Sequence, residues 1–185
     1  TISSPLQPTV PLFIAGGFDG TEAAEADRDL DLAPPSQLTG GGTGRILSLT
    51  QLPGTPQLSD LTFTQGTASK ANGGALGCLS GRLIVTRCIF SNNSVEGNRS
   101  GGAVFLENAE AAFIDTTFTD NSGTQGGALG SLTSNTAFLR CNFTTNSTTE
   151  HTFSKGGALY FSTSTTRIDN CNFIGNTTLF DAAAI

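Results

Sequence analysis

From residue 73 onward the apolar side chains fall in short alternating runs, and the runs repeat. Three positions after each of four Gly pairs stand Leu76, Val104, Leu129 and Leu159; two further on stand Cys78, Leu106, Ser131 and Phe161. Later in each block come Val85, Phe113, Phe138 and Ile168, then Cys88, Thr116, Cys141 and Cys171. Polar columns such as Arg87, Asp115, Arg140 and Asn170 lie between them. Apolar positions two apart describe a strand with one face turned inward. Repeats of 25–30 residues, each with three short strands, predict an all-β, right-handed, single-stranded parallel β-helix of about five rungs. Poor helix formers throughout disfavour a horseshoe with helices.

Two tetrapeptides punctuate the pattern. The first is Gly73-Gly74-Ala75-Leu76, repeated as Gly101-Gly102-Ala103-Val104, Gly126-Gly127-Ala128-Leu129 and Gly156-Gly157-Ala158-Leu159. The second pairs a Phe with an Asn three positions on: Phe90 with Asn93, Phe118 with Asn121, Phe143 with Asn146, Phe173 with Asn176. From first Gly to Phe the step is always 17 residues, whereas from Asn to the next Gly pair it is 8, 5 and then 10. Fixed blocks with elastic joints are the signature of stacked coils. In such a stack the Phe column predicts a file of buried rings. The Asn column predicts a turn, with left-handed backbone at Asn and amides bonded between rungs; the Gly pair predicts a sharp corner where backbones approach closely.

Residues 46–66 read as a degenerate first repeat, with Leu49 in the place of Leu76, Leu61 in that of Cys88 and Gly66 in that of Asn93. At the other end Ala182-Ala183-Ala184-Ile185 stands where another Gly-Gly-Ala would follow, which implies further repeats in a longer parent. Residues 1–45 differ in kind, being Pro- and Gly-rich with six acidic residues between Asp19 and Asp31. They are assigned to an N-terminal cap over the first rung's open edge, with a strand near Leu12, Phe13 and Ile14. Asp27, Asp29 and Asp31 share the spacing that opens a calcium loop, but the Gly and closing Glu are missing, so a solvated turn is expected and no metal site.

Composition sharpens this. Twenty-three Gly, 13% charged residues and 13 Phe against one Tyr and no Trp suit a repeat that reuses one aromatic at one position. A net charge of −6 without a basic stripe argues against nucleic acid. No apolar run approaches 18 residues, so no membrane span is expected, and no signal-peptide pattern opens the sequence. The four Cys are expected as core thiols rather than disulfides, since in-register side chains of Cys141 and Cys171 point the same way. With a single His, His151, and no Cys-x-x-Cys, neither a zinc site nor any cofactor is expected. Arg87, Asp115 and Arg140 alternate in sign and are expected to pair along the stack.

The Gly-Gly-Ala-(Leu/Val) and Phe-x-x-Asn pairs over residues 46–185 resemble the passenger domain of the chlamydial polymorphic membrane proteins. That resemblance implies an autotransporter whose β-helical passenger is exposed at the bacterial surface or secreted, while a C-terminal barrel, absent from this sequence, sits in the outer membrane. It implies adhesion to host-cell receptor proteins and a part in virulence, with both tetrapeptides important for adhesion. The sequence departs from the family pattern at Gly66 and at Ala182-Ala183.

Three functional readings follow. The first is a non-catalytic adhesin, because the elastic segments 94–100, 122–125, 147–155 and 177–181 all leave the same point of each rung and form a variable edge. The longest carries Glu150, His151, Phe153 and Lys155, and Phe105 and Tyr160 share an outward column that adds a sticky patch. The second is an inert spacer. The third is a polysaccharide-processing enzyme, disfavoured because no column holds acids on adjacent rungs. No catalytic residue is assigned. Self-association through an open β-helix end is a further expectation.

Overall fold

Short strands, most of them two to five residues long and apolar on one face, cannot stand alone; each needs a neighbour along both edges and an apolar layer behind it. The chain meets both needs by coiling. The computed structural model describes residues 12–17, 36–51, 53–149 and 154–179, and among these every strand pairing is parallel, one coil to the next. Five coils stack. Each contributes to a long face, a middle face and, in the first four, a short face.

The long face is built from Leu47–Thr50 and Gln57–Ser59, Leu76–Thr86, Val104–Ile114, Leu129–Leu132 and Asn135–Leu139, then Leu159–Ser162 and Thr165–Asp169. The middle face runs through Leu61–Thr64, Ile89–Ser91, Thr117–Thr119, Asn142–Thr144 and Asn172–Ile174. Thr67–Ala68, Ser94–Val95, Ser122–Gly123 and Ser147–Thr148 make the short face. The second and third coils, where the long face is continuous, hold three strands; the first and fourth, where it divides, hold four, one more than the sequence suggests; the fifth divides as well and shows three among the described residues. Beneath the first coil, Phe13–Ala15 pairs with Gln57–Ser59, and Ser36–Thr39 pairs with Leu61–Thr64. These parts of the N-terminal segment form an incomplete coil. The acidic run and residues 182–184 lie outside the described residues.

Corners are made by single residues in the left-handed region. Asp60, Arg87, Asp115, Arg140 and Asn170 (φ 50–57°) turn the long face into the middle one. Gln65, Asn92, Asp120, Thr145 and Gly175 (φ 53–64°) turn the middle into the short one, and the first Gly of each pair (φ 61–75°) closes the coil. Gln51, Ser80, Asn108, Thr133 and Thr163 (φ 49–59°) bend the long face itself. The left-handed residue is thus the one before each Asn of the Phe-x-x-Asn motif, not the Asn as the sequence suggested. The reason is visible in burial: Asn93, Asn121 and Asn146 point fully inward, and the strained position falls on their exposed neighbours.

Register corrects a second expectation. Leu47, not Leu49, lies over Leu76, and Leu49 lies over Cys78. Downstream, Phe63 pairs with Phe90 as the sequence predicts. The first coil therefore has two extra residues between its long-face strands, around Gly54. Ile46 and Leu47 both donate to the Ala75 carbonyl, so Gly44-Arg45-Ile46-Leu47 occupies the place of Gly73-Gly74-Ala75-Leu76.

The core is two files of rings at an angle. Phe63, Phe90, Phe118, Phe143 and Phe173 stack with centroids 4.7–5.1 Å apart and planes within 8°. Phe113 and Phe138 stack on each other at 5.3 Å and meet the first file edge-on, Phe113 against Phe118 at 64° and Phe138 against Phe143 at 79°. Parallel stacking at the strand repeat is what identical residues on paired strands must do; the edge-on contact suits the quadrupole of the ring. Phe118 has rings above, below and beside it. Its replacement by Ala is expected to cost about 3–5 kcal/mol, measured by denaturant unfolding; an unchanged midpoint would remove it from the core.

Candidate functional site

The repeated polar residues are bound first to each other. The Nδ2 groups of Asn93, Asn121, Asn146 and Asn176 donate to the main-chain carbonyls of Phe63, Phe90, Phe118 and Phe143, one coil below, at 2.8–3.0 Å. Those of Asn93, Asn121 and Asn146 also donate to the Oδ1 of the next Asn above. That same Oδ1 accepts the main-chain N–H of the Asn below, at 3.0–3.2 Å. The result is a continuous internal amide ladder. At its foot the N–H of Gly66 donates to Asn93 Oδ1.

The Gly pairs serve the same stacking. A Cβ on Gly74, Gly102 or Gly127 would overlap the carbonyl oxygen of the second Gly in the next coil. A side chain there would push coils apart. Ala75, Ala103, Ala128 and Ala158 beside them are fully buried.

The Cys column has a role that apolar packing alone did not reveal. The Cys88, Cys141 and Cys171 thiols and the Thr116 hydroxyl each donate to the carbonyl two residues earlier, those of Thr86, Leu139, Asp169 and Ile114. Each caps the carbonyl just before a left-handed corner. The interchange of Thr with Cys in one column was the signal available in the sequence. All four Cys are free thiols. Burial pushes Cys88 up to about 12 and Cys78 and Cys141 up to about 11.

The charged column pairs two by two. Arg87 grips Asp60 through two bonds of 2.6 and 2.9 Å, and Arg140 grips Asp115 through two of 2.7 Å. Asp60, 7% exposed in its side chain, is the partner the sequence reading missed. Its bond raises the Arg87 pKa, and the bond to Arg140 holds the Asp115 carboxyl below the usual carboxylate range.

The elastic segments do leave one edge. In the first three the opening two residues are the short-face strands and the last residues are tied across coils by the bridges Ser100 to Gln125 and Gln125 to Lys155; the fourth begins at Thr177, bridged to Ser147, and ends outside the described residues. Between these anchors Glu96, Gly97 and Asn98 are exposed, as is Lys155. Glu150, His151 and Phe153 lie outside the described residues. Phe105 does not join this surface. It is only 6% exposed, flanked in register by Gly77 and Gly130, whose vacant Cβ positions face the Arg45 guanidinium and the Ser100 side chain. Tyr160 is half-buried.

A second feature lies on the outer long face. Three rows run along the stack: Arg82, Glu110, Asn135 and Thr165; then Ile84, Ala112, Ala137 and Arg167; then Thr86, Ile114, Leu139 and Asp169. The middle row is short over Ala112 and Ala137, leaving a trough of about 450 Å³. Arg82 pairs with Glu110 at 2.9 Å, and Arg167 with Asp169 at 3.3 Å. Among the described residues no three His, Cys, Asp or Glu gather as metal ligands, and no helix is long and apolar enough to cross a membrane.

Parallel coils with inward files of like residues define a β-solenoid. The sequence matches the right-handed β-helix region family over residues 56–183, more than half of the chain, and the chain belongs to that family. No curated protein and no solved structure matched it.

Replacing Asn121 by Ala strands the Phe90 carbonyl and the Asn93 N–H together, and is expected to cost about 3 kcal/mol or more in denaturant unfolding; a loss below about 1 kcal/mol would contradict the ladder. The thiols supply a pH test. A thiol whose pKa is raised in the fold holds its proton more tightly there, so stability is full below about pH 8.5 and falls as pH climbs toward 11–12. Cys88→Ala should flatten that alkaline decline. In the native protein Cys171, half-buried where the others are buried, should react first with a thiol reagent.

Proposed function

We propose that the chain is a non-catalytic adhesive segment of a bacterial surface protein, an autotransporter passenger of the polymorphic membrane protein type, that engages a host-cell receptor protein through the loops along its short-face edge. The observation that carries this reading is the division of labour within each coil. The motif side chains are spent on the ladder, the corner caps and the ring files, and the carboxylates of Asp60 and Asp115 are clamped by arginine. The segments free to differ in length and composition are held at both ends on one edge of a rigid stack. On this reading the two tetrapeptides matter for adhesion by holding the coils in register, so that the loops are presented at a fixed spacing.

A spacer is the second reading. The unbroken ring and amide files favour it, since they make a stiff rod suited to holding another domain away from a surface.

Epithelial-cell attachment of the purified chain separates the two. Replacing His151 and Phe153 together should leave the melting curve unchanged and lower attachment severalfold; attachment equal to that of the parent would remove this loop from the contact. Failure of the parent itself to attach would favour the spacer.

A further inference from the structure

We propose that Cys141 and Cys171 hold a single cuprous ion between the fourth and fifth coils; this goes beyond the loop-edge reading above and does not depend on it. The two residues lie one over the other, because Leu139 pairs with Asp169 before them and Asn142 with Asn172 after them. Their thiols also share one orientation, since each donates to the carbonyl two residues earlier, at 3.6 Å to Leu139 and 3.3 Å to Asp169. Side chains so placed keep their sulfurs about one strand spacing apart, about 4.8 Å. That is far beyond the ~2.05 Å of a disulfide. It is close to the span of a linear sulfur–metal–sulfur unit, about 4.6 Å at about 2.3 Å for each thiolate bond.

The number of donors selects the ion. Among the described residues no third His, Cys, Asp or Glu joins the pair. Zinc, which takes four ligands, therefore finds half a set, whereas a soft cuprous ion is satisfied by two thiolates. The sulfurs are also prepared for charge. The Cys141 N–H donates to Cys171 Sγ at 3.3 Å, and Cys141 takes a main-chain hydrogen bond from Thr116 on the coil below. Hydrogen bonds of this kind tune sulfur ligands in metal sites. Binding forms two copper–sulfur bonds and releases both thiol protons, leaving one net negative charge within the field of the Arg140 guanidinium. Cys171, half-buried in the last coil, gives the ion a way in. Cys88 stands in the same column with Thr116 between it and Cys141. At two strand spacings, about 9.6 Å, it is too far to join.

The test is anaerobic titration of the purified, reduced chain with cuprous ion buffered by a competing chelator. Thiolate-to-copper absorption counts the ions, and X-ray absorption at the copper edge counts the ligands. One equivalent held by two sulfurs is expected, with no comparable retention of zinc. Thr116 already makes the corner cap of this column, so Cys141→Thr and Cys171→Thr keep the cap while removing a sulfur. Each is expected to weaken retention about a hundredfold or more, with an ion-free melting curve close to the parent's. Cys78→Ser and Cys88→Ser should each retain the one equivalent. Thr116→Cys sets a new sulfur over Cys88 and should raise the capacity to two equivalents. Failure of the parent to retain the ion, undiminished retention in Cys141→Thr or Cys171→Thr, loss from a folded Cys78→Ser or Cys88→Ser chain, or three or more ligands on the copper would overturn the proposal. So would a Cys141–Cys171 disulfide formed readily in a glutathione redox buffer, because it would bring the sulfurs within bonding reach of each other.

Discussion

Rung-to-rung register is the constraint on which everything else in this molecule depends. A parallel β-helix has no second layer to correct a slip, because each coil is both the neighbour and the core of the next. The amide ladder enforces register from inside. One Asn Oδ1 must accept from two donors of the coil below, while its own Nδ2 reaches a Phe carbonyl in that coil. A shift by one residue would break all three bonds and leave them unpaired in a dry interior, where each orphan is expensive. The ring file depends on the same alignment, because rings at 4.7–5.1 Å stack only when Phe lies over Phe.

Register then decides what is left for function. Side chains that repeat in every coil are committed to neighbours, inward or across the stack. Side chains that differ between coils are free to differ because they carry no such duty. Two surfaces meet that description, and they lie apart: the loop edge, where coils are joined by segments of unequal length, and the trough, where Ala112 and Ala137 are shorter than the residues on either side. The first is variable in length and the second is regular in spacing.

Much of the architecture was legible because a repeat states its own alignment. The constant step from Gly to Phe put Phe90, Phe118, Phe143 and Phe173 in one file before any coordinates, and the file is there. The first coil was harder. Gly44-Arg45-Ile46-Leu47 kept only the first Gly and the final Leu of its motif, and the extra residues before Gln57 were invisible without a partner strand to count against. The corner conformation was misplaced by one residue because Asn tolerates left-handed backbone and sits at a turn, yet its amide is worth more inside than its tolerance is outside. Phe105 was read as outward and sticky from alternation alone. Alternation gives direction, and it does not say that Gly77 and Gly130 leave room for Arg45 and Ser100 on either side.

What the amino-acid order determined by itself was the fold class and the inward columns of the coils that carry both motifs, since period and spacing are local properties that a stack merely makes visible. What only the tertiary structure decided was pairing across coils. Asp60 with Arg87, the bonds of the Cys88 and Cys141 thiols to the Leu58 and Phe113 carbonyls, and the trough beside Ala112 and Ala137 all join residues that the sequence holds about one coil apart. The physical reason is that direction within a coil is fixed by backbone geometry, whereas partnership between coils is fixed by which side chain the next turn happens to set above.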